Sequence, residues 1–232
     1  MRGTAWIKKG CAAGRACLLK GDLMKGLFIT LEGGDGAGKS TQIRNIERFF
    51  DEKGLVVMHT REPGGTPIGE KLRDILLDRE NSEMDAVTEM LIYAAARAQH
   101  VRERVLPALR DGKIVICDRY TDSSIAYQGY GRQLGEQVAE VNSRATGDLQ
   151  PDITFWLDID PYIGRERAGN TGELDRLETE KMDFHKRVRD GYRELMEKDP
   201  GRIKRIDASK TIEEMRDDIY ACLEELCRSR GL

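Results

Sequence analysis

The sequence predicts an α/β fold: a five-stranded parallel sheet with helices on both faces, in three layers. Three observations predict it. Five short apolar runs recur along the 232 residues, longer helical patterns separate them, and a glycine-rich turn joins the first run to the first helix. Parallel strands need crossover connections of this kind, and strands covered on both faces read as near-continuous apolar runs.

The strands are expected at Leu27–Glu32, Leu55–Thr60, Lys113–Cys117, Ile153–Ile159 and Ile203–Ile206. Helices are expected over 40–53, 67–78, 85–110, 137–146, 176–198 and 211–229. Gly64, Gly65, Gly129, Gly131, Gly169 and Gly172 mark loops at element ends. Residues 1–23 stand apart, with Arg2, Lys8, Lys9, Arg15 and Lys20 against one acid, Asp22. Such a basic, nearly acid-free stretch has the composition of a transit peptide. Met24, however, leads directly into the first strand, so residues 1–23 are expected to be a disordered extension from an upstream start. No function is assigned to them, and one domain is expected over 24–232.

Charge and composition exclude some classes of function. Lys plus Arg number 38 and Asp plus Glu 41, a net charge of −3, which argues against a general nucleic-acid or membrane-surface binder. No apolar run approaches the roughly 20 residues of a membrane span. Cys11, Cys17, Cys117, Cys222 and Cys227 lack metal-knuckle spacing, and His59, His100 and His185 do not cluster with them in sequence. An odd cysteine count without a secretory signal fits reduced thiols in a cytoplasm.

The chemistry begins at the first strand's end. Gly33-Gly34-Asp35-Gly36-Ala37-Gly38-Lys39-Ser40 matches G-x-x-x-x-G-K-[ST] in full, with Thr41 continuing the helix behind it. Glycines let backbone N–H groups curl around phosphate oxygens, and the helix start adds its positive dipole end. Lys39 is placed to reach the β and γ phosphates of a nucleotide, and the Ser40 hydroxyl to coordinate Mg²⁺. A second acidic element follows Ile114-Val115-Ile116-Cys117: Asp118 ends a buried strand and is a candidate to hold Mg²⁺. The loop predicts ATP or GTP chemistry but leaves the acceptor open.

Further motifs bear on the acceptor. These are Thr60-Arg61-Glu62-Pro63-Gly64-Gly65-Thr66, Tyr93-Ala94-Ala95-Ala96-Arg97, Asp118-Arg119-Tyr120, Ser123-Ser124, Ala126-Tyr127-Gln128-Gly129 and Gly172-Glu173-Leu174-Asp175-Arg176. In this order behind a phosphate loop, they resemble the thymidylate kinase family over residues 25–229. The resemblance implies a P-loop kinase fold with a short lid over about 164–176. It also implies ATP-dependent phosphorylation of dTMP to dTDP with Mg²⁺, and a homodimer.

The resemblance further implies residue roles. Asp35 would accept the sugar 3′-hydroxyl, and Arg61, Arg97 and Arg119 would surround the monophosphate, where planar guanidinium forks suit a dianion. Tyr93 and Arg97, four apart on one helical face, would stack on the pyrimidine and bond its edge or the phosphate. Ser124, Tyr127 and Gln128 share one side of a helical turn by the i, i+3, i+4 rule. Ser124 would contact the base edge, and Tyr127 would pack at C2′ as a filter against ribose.

One departure concerns the arginine that family members place either in the variable part of the phosphate loop or in the lid. Here the loop carries Gly36, so the lid is expected to supply it. Arg167 is the first candidate, with Arg165 and Arg176 behind it, while Gly169 and Thr171 stand where bacterial relatives often have further arginines. Asp207-Ala208-Ser209 resembles the loop beside the adenine. Two other readings remain: a kinase for another deoxynucleotide or nucleoside, which a substrate panel separates, and a non-catalytic nucleotide-binding regulator. Lys39, Ser40 and the arginines speak against the regulator.

Overall fold

The computed structural model describes residues 25–169 and 175–232. The expected extension over 1–23, and residues 170–174 within the expected lid, lie outside the described residues. Five strands, β1 (Leu27–Glu32), β2 (Val57–Arg61), β3 (Ile114–Asp118), β4 (Ile153–Asp158) and β5 (Ile203–Asp207), form one all-parallel sheet in the order β2-β3-β1-β4-β5. The order places the glycine-rich loop after the central strand, where connections leave in both directions and an open crevice forms.

Alternation along β1 distributes the core. Leu27, Ile29 and Leu31 pack with Ile43, Ile46 and Phe50 of α1 (Lys39–Glu52) and with Met215, Ile219 and Leu223 of α9 (Ile212–Arg230). Phe28 points to the other face. There it meets Val101 and Val105 in a π-helical turn joining α3 (Ala86–His100) to α4 (Leu106–Arg110), together with Tyr120. On that same side the β1 run carries polar groups: the Thr30 and Thr154 hydroxyls lie 2.7 Å apart, and Glu32 is fully buried.

Caps explain most of the remaining boundaries. Thr66 accepts from the Gly69 N–H at 3.0 Å at the start of α2 (Pro67–Leu77), with Pro67 at the first position. Asp85 accepts from the Val87 N–H at 2.8 Å ahead of α3. Thr211 and Glu214 form a reciprocal capping box at α9.

Several boundaries differ from expectation. β2 begins at Val57, because Leu55 closes the turn after α1 by donating its N–H to Phe50 O at 3.0 Å. The helix expected from 176 starts at Met182 as α8 (Met182–Lys198). Asp175 Oδ1 accepts from the N–H groups of Leu177 and Glu178 at 2.8 and 2.9 Å, holding this stretch in turns. A helix α7 (Pro161–Ala168) occupies the first part of the expected lid, capped by Asp160 on the Tyr162 N–H at 2.9 Å. After α5 (Thr121–Ser124), residues Ile125–Gly131 form a π-helical turn leading toward α6 (Gln137–Thr146). Gly129 and Gly131 therefore lie inside a helical segment and not in a loop. A Cβ on Gly131 would come within 2.6 Å of the Phe184 ring, so its small size seats α8 against this turn.

Candidate active site

A cavity of about 520 Å³ opens at the carboxyl ends of β1, β2 and β3. Strand register builds its floor: Leu31 pairs with Asp118, and Asp118 pairs with Arg61, so the ends of three neighbouring strands lie in one row. Asp35, Gly36, Gly38, Lys39, Ser40 and Thr41 line one part of the cavity. Arg61, Tyr93, Arg97, Arg119, Ser124, Tyr127 and Gln128 line it too, as does Arg167. The phosphate loop and the expected acceptor residues thus share one space.

Gly33, Gly34 and Ala37 take part differently. Ala37 is buried in the core beneath the loop. The carbonyls of Gly33 and Gly34 accept from Lys39 Nζ at 3.1 and 3.0 Å. Gly38 starts α1 at φ 91°, a left-handed conformation that favours glycine. Gly36, at φ 72°, lies so close to α7 that a Cβ would meet Gly164 O at 2.1 Å and Arg167 Cβ at 3.1 Å. No side chain fits there without moving α7. The contact seats the base of the lid against the phosphate loop, which brings Arg167 to the cavity.

Arg119 follows β3 at φ 68°, a conformation that costs a non-glycine residue energy. Its N–H donates to Leu31 O at 2.9 Å, and its Nη1 to Gly33 O at 2.9 Å. Nη2 donates to Asp35 Oδ1 at 2.7 Å. Burial pushes the Asp35 carboxyl up, but Arg119, then Lys39 and His185, outweigh it and hold Asp35 below the usual carboxylate range. Burial and the neighbouring Arg119 charge pull the Lys39 ammonium down.

The other arginines divide by their partners. Arg61 is half exposed and pairs with Glu70 at 3.0 Å while donating to Pro63 O at 3.2 Å. Arg97 is buried, with Nε on Glu62 Oε2 at 2.6 Å and Nη1 on Ser124 Oγ at 2.8 Å. Arg167 Nη1 donates to Ala208 O at 2.9 Å, tying α7 to the loop after β5. Arg165 lines a smaller cavity of about 50 Å³ behind Asp35, walled by Trp156, Ile159 and Tyr192. Arg176 lies in neither cavity: Nη2 donates to buried Glu89 at 2.7 Å and Nε to Leu76 O at 2.9 Å. Glu89 also accepts from Gln128 Nε2 at 2.9 Å, which fixes that amide at the cavity wall.

Two charged side chains of the site, Arg73 and Glu178, were not expected from sequence. Arg73, on α2, lines the cavity and donates to Pro63 O at 3.0 Å. Asp175 and Glu178 close the wall beside Leu177. Asp175 belongs to a motif already singled out, but a helix arginine and an acid beyond a loop carry no local sign of a site. Only the fold brings them in. Beneath the cavity, Glu32 accepts from the Tyr120 N–H at 2.8 Å, Ser123 Oγ at 2.5 Å and Tyr192 OH at 3.0 Å. Burial, then the nearby Asp122 charge, raise its pKa from 4.5 to about 7.

A parallel sheet with this strand order and this loop defines a P-loop phosphotransferase. Comparison with known proteins narrows the class. The family model described as thymidylate kinase matches residues 31–219. The chain is 47% identical over 203 residues to the thymidylate kinase of Clostridium novyi (strain NT), covering 86% of this chain and 99% of the relative. It is 49% identical over 206 residues to that of Lactobacillus helveticus (strain DPC 4571), covering 87% and 97%. A crystal structure of thymidylate kinase from Ehrlichia chaffeensis superposes with a TM-score of 0.70 at 34% identity, covering 86% of this chain and 98% of that one. The chain belongs to the thymidylate kinase family.

Proposed function

We propose that the chain transfers the γ-phosphoryl group of ATP to the 5′-phosphate of dTMP, releasing dTDP and ADP. The observation that carries this reading is the single cavity in which Lys39 and the phosphate loop face Tyr93, Ser124, Tyr127 and three acceptor-side arginines. The family relationship supplies the identity of the acceptor. The relatives give no support to a non-catalytic regulator or to another acceptor.

In this reading, ATP phosphates lie along the loop from Gly33 to Thr41, with Lys39 on the transferring group. Asp35 holds the sugar 3′-hydroxyl, Tyr93 stacks on the pyrimidine, and Ser124, Gln128 and Arg97 meet its edge. Arg61 and Arg119 hold the acceptor phosphate, and Tyr127 packs at C2′. A phosphate monoester has a second pKa of about 6, so the acceptor is already ionised at neutral pH and needs no general base. Catalysis is then positioning and charge neutralisation by Lys39, Arg119 and the lid arginines Arg167 and Arg165.

The donor set also fits a divalent cation. Asp118 Oδ1 is buried with no hydrogen-bond partner among the described residues, and Ser40 lines the same cavity. These two would hold Mg²⁺, which would neutralise charge on the donor phosphates. We also read the enzyme as a cytoplasmic homodimer. Ile68 and Ile75 on α2, and Val87 and Leu91 on α3, are large apolar side chains left exposed on two helices that pack together, which supports a covering partner. No helix among the described residues is long and apolar enough to cross a membrane.

The test is a coupled assay of ADP release with ATP, Mg²⁺ and a panel of dTMP, dUMP, dCMP, dGMP and UMP. The expected result is acceptor-dependent turnover with the highest kcat/KM for dTMP. Turnover independent of acceptor, or faster with another monophosphate, would overturn the reading.

A further inference from the structure

Arg97 spends nearly all its donors inside the protein. It is 2% exposed, and besides Glu62 and Ser124 it donates Nη1 to Asn142 Oδ1 and Nη2 to Tyr120 O at 3.0 Å. A guanidinium carries five N–H groups. One Nη2 hydrogen is therefore left without a partner among the described residues, on a side chain that lines the cavity. A lone donor of this kind cannot chelate a phosphate with two parallel bonds. It suits a single acceptor atom.

What fixes this arrangement comes from outside the cavity. Asn142 stands on α6, is 3% exposed, and lines neither cavity. Its Nδ2 donates to Val138 O at 2.7 Å, one turn back, so the amide cannot flip and Oδ1 must face Arg97. Glu62 grips the opposite side of the guanidinium through Nε, and it is itself pinned by His100 Nδ1 at 2.7 Å. Remove the Asn142 acceptor, and an Nη1 hydrogen is freed and the guanidinium keeps three anchors, Glu62, Ser124 Oγ and Tyr120 O, in place of four.

We propose that Asn142 is a positioning residue for acceptor selection: by fixing Arg97 it leaves one donor aimed at a keto oxygen of the base. The inference rests on the dTMP reading. A pyrimidine with an amino group at that edge would set hydrogen against hydrogen, so discrimination between keto and amino bases depends on a residue that never touches the nucleotide.

The experiment compares wild type, Asn142→Leu and Asn142→Asp with dTMP and dCMP, with folding checked by thermal melts. Asn142→Leu keeps the side-chain bulk and loses the acceptor. It is expected to raise the KM for dTMP and to lower the dTMP-over-dCMP preference in kcat/KM, each by about tenfold, as loss of one charge-assisted hydrogen bond implies. The KM for ATP and the kcat with dTMP should change little. Asn142→Asp keeps an oxygen facing Arg97 but loses the donor to Val138 O, and should hold the preference closer to wild type than Asn142→Leu does. A folded Asn142→Leu with unchanged KM and unchanged preference would overturn the inference, as would equal losses in the Leu and Asp variants. A fall in kcat with the preference intact would mark a packing role and overturn it as well. If Asn142→Leu does not fold, Asn142→Ser, whose hydroxyl is too short to reach Arg97, is judged by the same outcomes. A wild-type chain inactive on every monophosphate overturns the function and the inference together. An active wild type with insensitive variants overturns the inference alone.

Discussion

Arg119 Nη2 lies 2.7 Å from Asp35 Oδ1, so the arginine that ends β3 is tied to the carboxylate inside the phosphate loop. The same guanidinium holds Gly33 O, which Lys39 also contacts. One planar fork thus joins the donor loop to the acceptor wall. An ammonium cannot reproduce two bonds at fixed angles. Arg119→Lys is therefore expected to lower kcat/KM for dTMP by about 100-fold or more while the protein stays folded. Steady-state kinetics beside a thermal melt check it, and near-normal kcat/KM would mean that charge alone suffices.

Lys39 stands on the other side of that junction. Its Nζ rests on the Gly33 and Gly34 carbonyls, the part of the site assigned to the donor. Lys39→Ala should remove most activity while leaving the dissociation constant for dTMP within about twofold, because only transition-state and donor contacts are lost. Equilibrium titration of dTMP into the variant is the measurement. A large loss of dTMP affinity in folded protein would move Lys39 to the acceptor side.

The Tyr127 ring is wedged against Arg119, whose guanidinium carbon is 5.1 Å from the ring centroid, and against the edges of Phe184 and Tyr192. A ring held on three sides makes a rigid wall. Tyr127→Ala is expected to cut the deoxy-over-ribo ratio of kcat/KM by about tenfold or more, since a rigid clash with a hydroxyl is what enforces the choice. Tyr127→Phe should keep it. Measuring thymidine and ribothymidine monophosphates with both variants decides the matter, and an unchanged ratio in Tyr127→Ala would leave Tyr127 a packing residue.

The fold was legible in the sequence because its signals are local. Each strand is a short apolar run, and the phosphate loop is one contiguous motif whose strand and helix neighbours the structure reproduces. Residues on such motifs, from Lys39 to Tyr127, could be named in advance because the family pattern is also contiguous. Other features were hidden for physical reasons. α7 buries only Gly164, so it has no apolar stripe to show. The π-helical turn at Ile125–Gly131 still brings Ser124, Tyr127 and Gln128 to one cavity, although its spacing differs from the α-helical rule used to group them. Arg73 matters through Pro63 O in the loop before its helix and Asn142 through Arg97, 45 residues away, and Glu32 reads as the last residue of a strand until its burial is seen.

Glu32 makes stability depend on pH in an unusual direction. Its carboxyl has a folded pKa of about 7, above the ordinary 4.5, because burial and Asp122 disfavour the charged form. The folded state therefore binds more protons than the unfolded state between those values. Stability from this group is fully present below pH 4.5 and falls as pH rises toward 7. Glu32→Gln, which cannot ionise, should remove that fall. Thermal melts of both proteins from about pH 4.5 to 8 should give a difference in Tm that grows with pH in favour of the variant. A constant difference across the range would mean that Glu32 does not titrate there.

The lid arginines can be ranked by where their side chains lie. Arg167 lines the main cavity and is steadied by Ala208 O at 2.9 Å, while Gly36 against α7 holds the helix at the phosphate loop. Arg165 lies behind Asp35 in the smaller cavity. Arg176 is buried on Glu89 and Leu76 O, where removing it would take one cation from a carboxylate that also holds Gln128 and Arg132. Arg167→Ala should then lower kcat more than it raises KM for either substrate, since a cation acting mainly on the transition state lowers kcat and kcat/KM together. Such an arginine can be worth about 10³-fold. Arg165→Ala should be milder. Arg176→Ala should act chiefly on stability, lowering Tm, because Glu89 keeps Arg132 but loses one charged hydrogen-bond partner, which costs on the order of 2 kcal/mol. Kinetics and melts on the three variants separate these outcomes. If Arg165→Ala loses kcat and Arg167→Ala keeps it, the lid arginine has been misassigned between neighbours on one short helix. If both keep near-normal kcat, Lys39 and Arg119 must neutralise the transferring group without the lid.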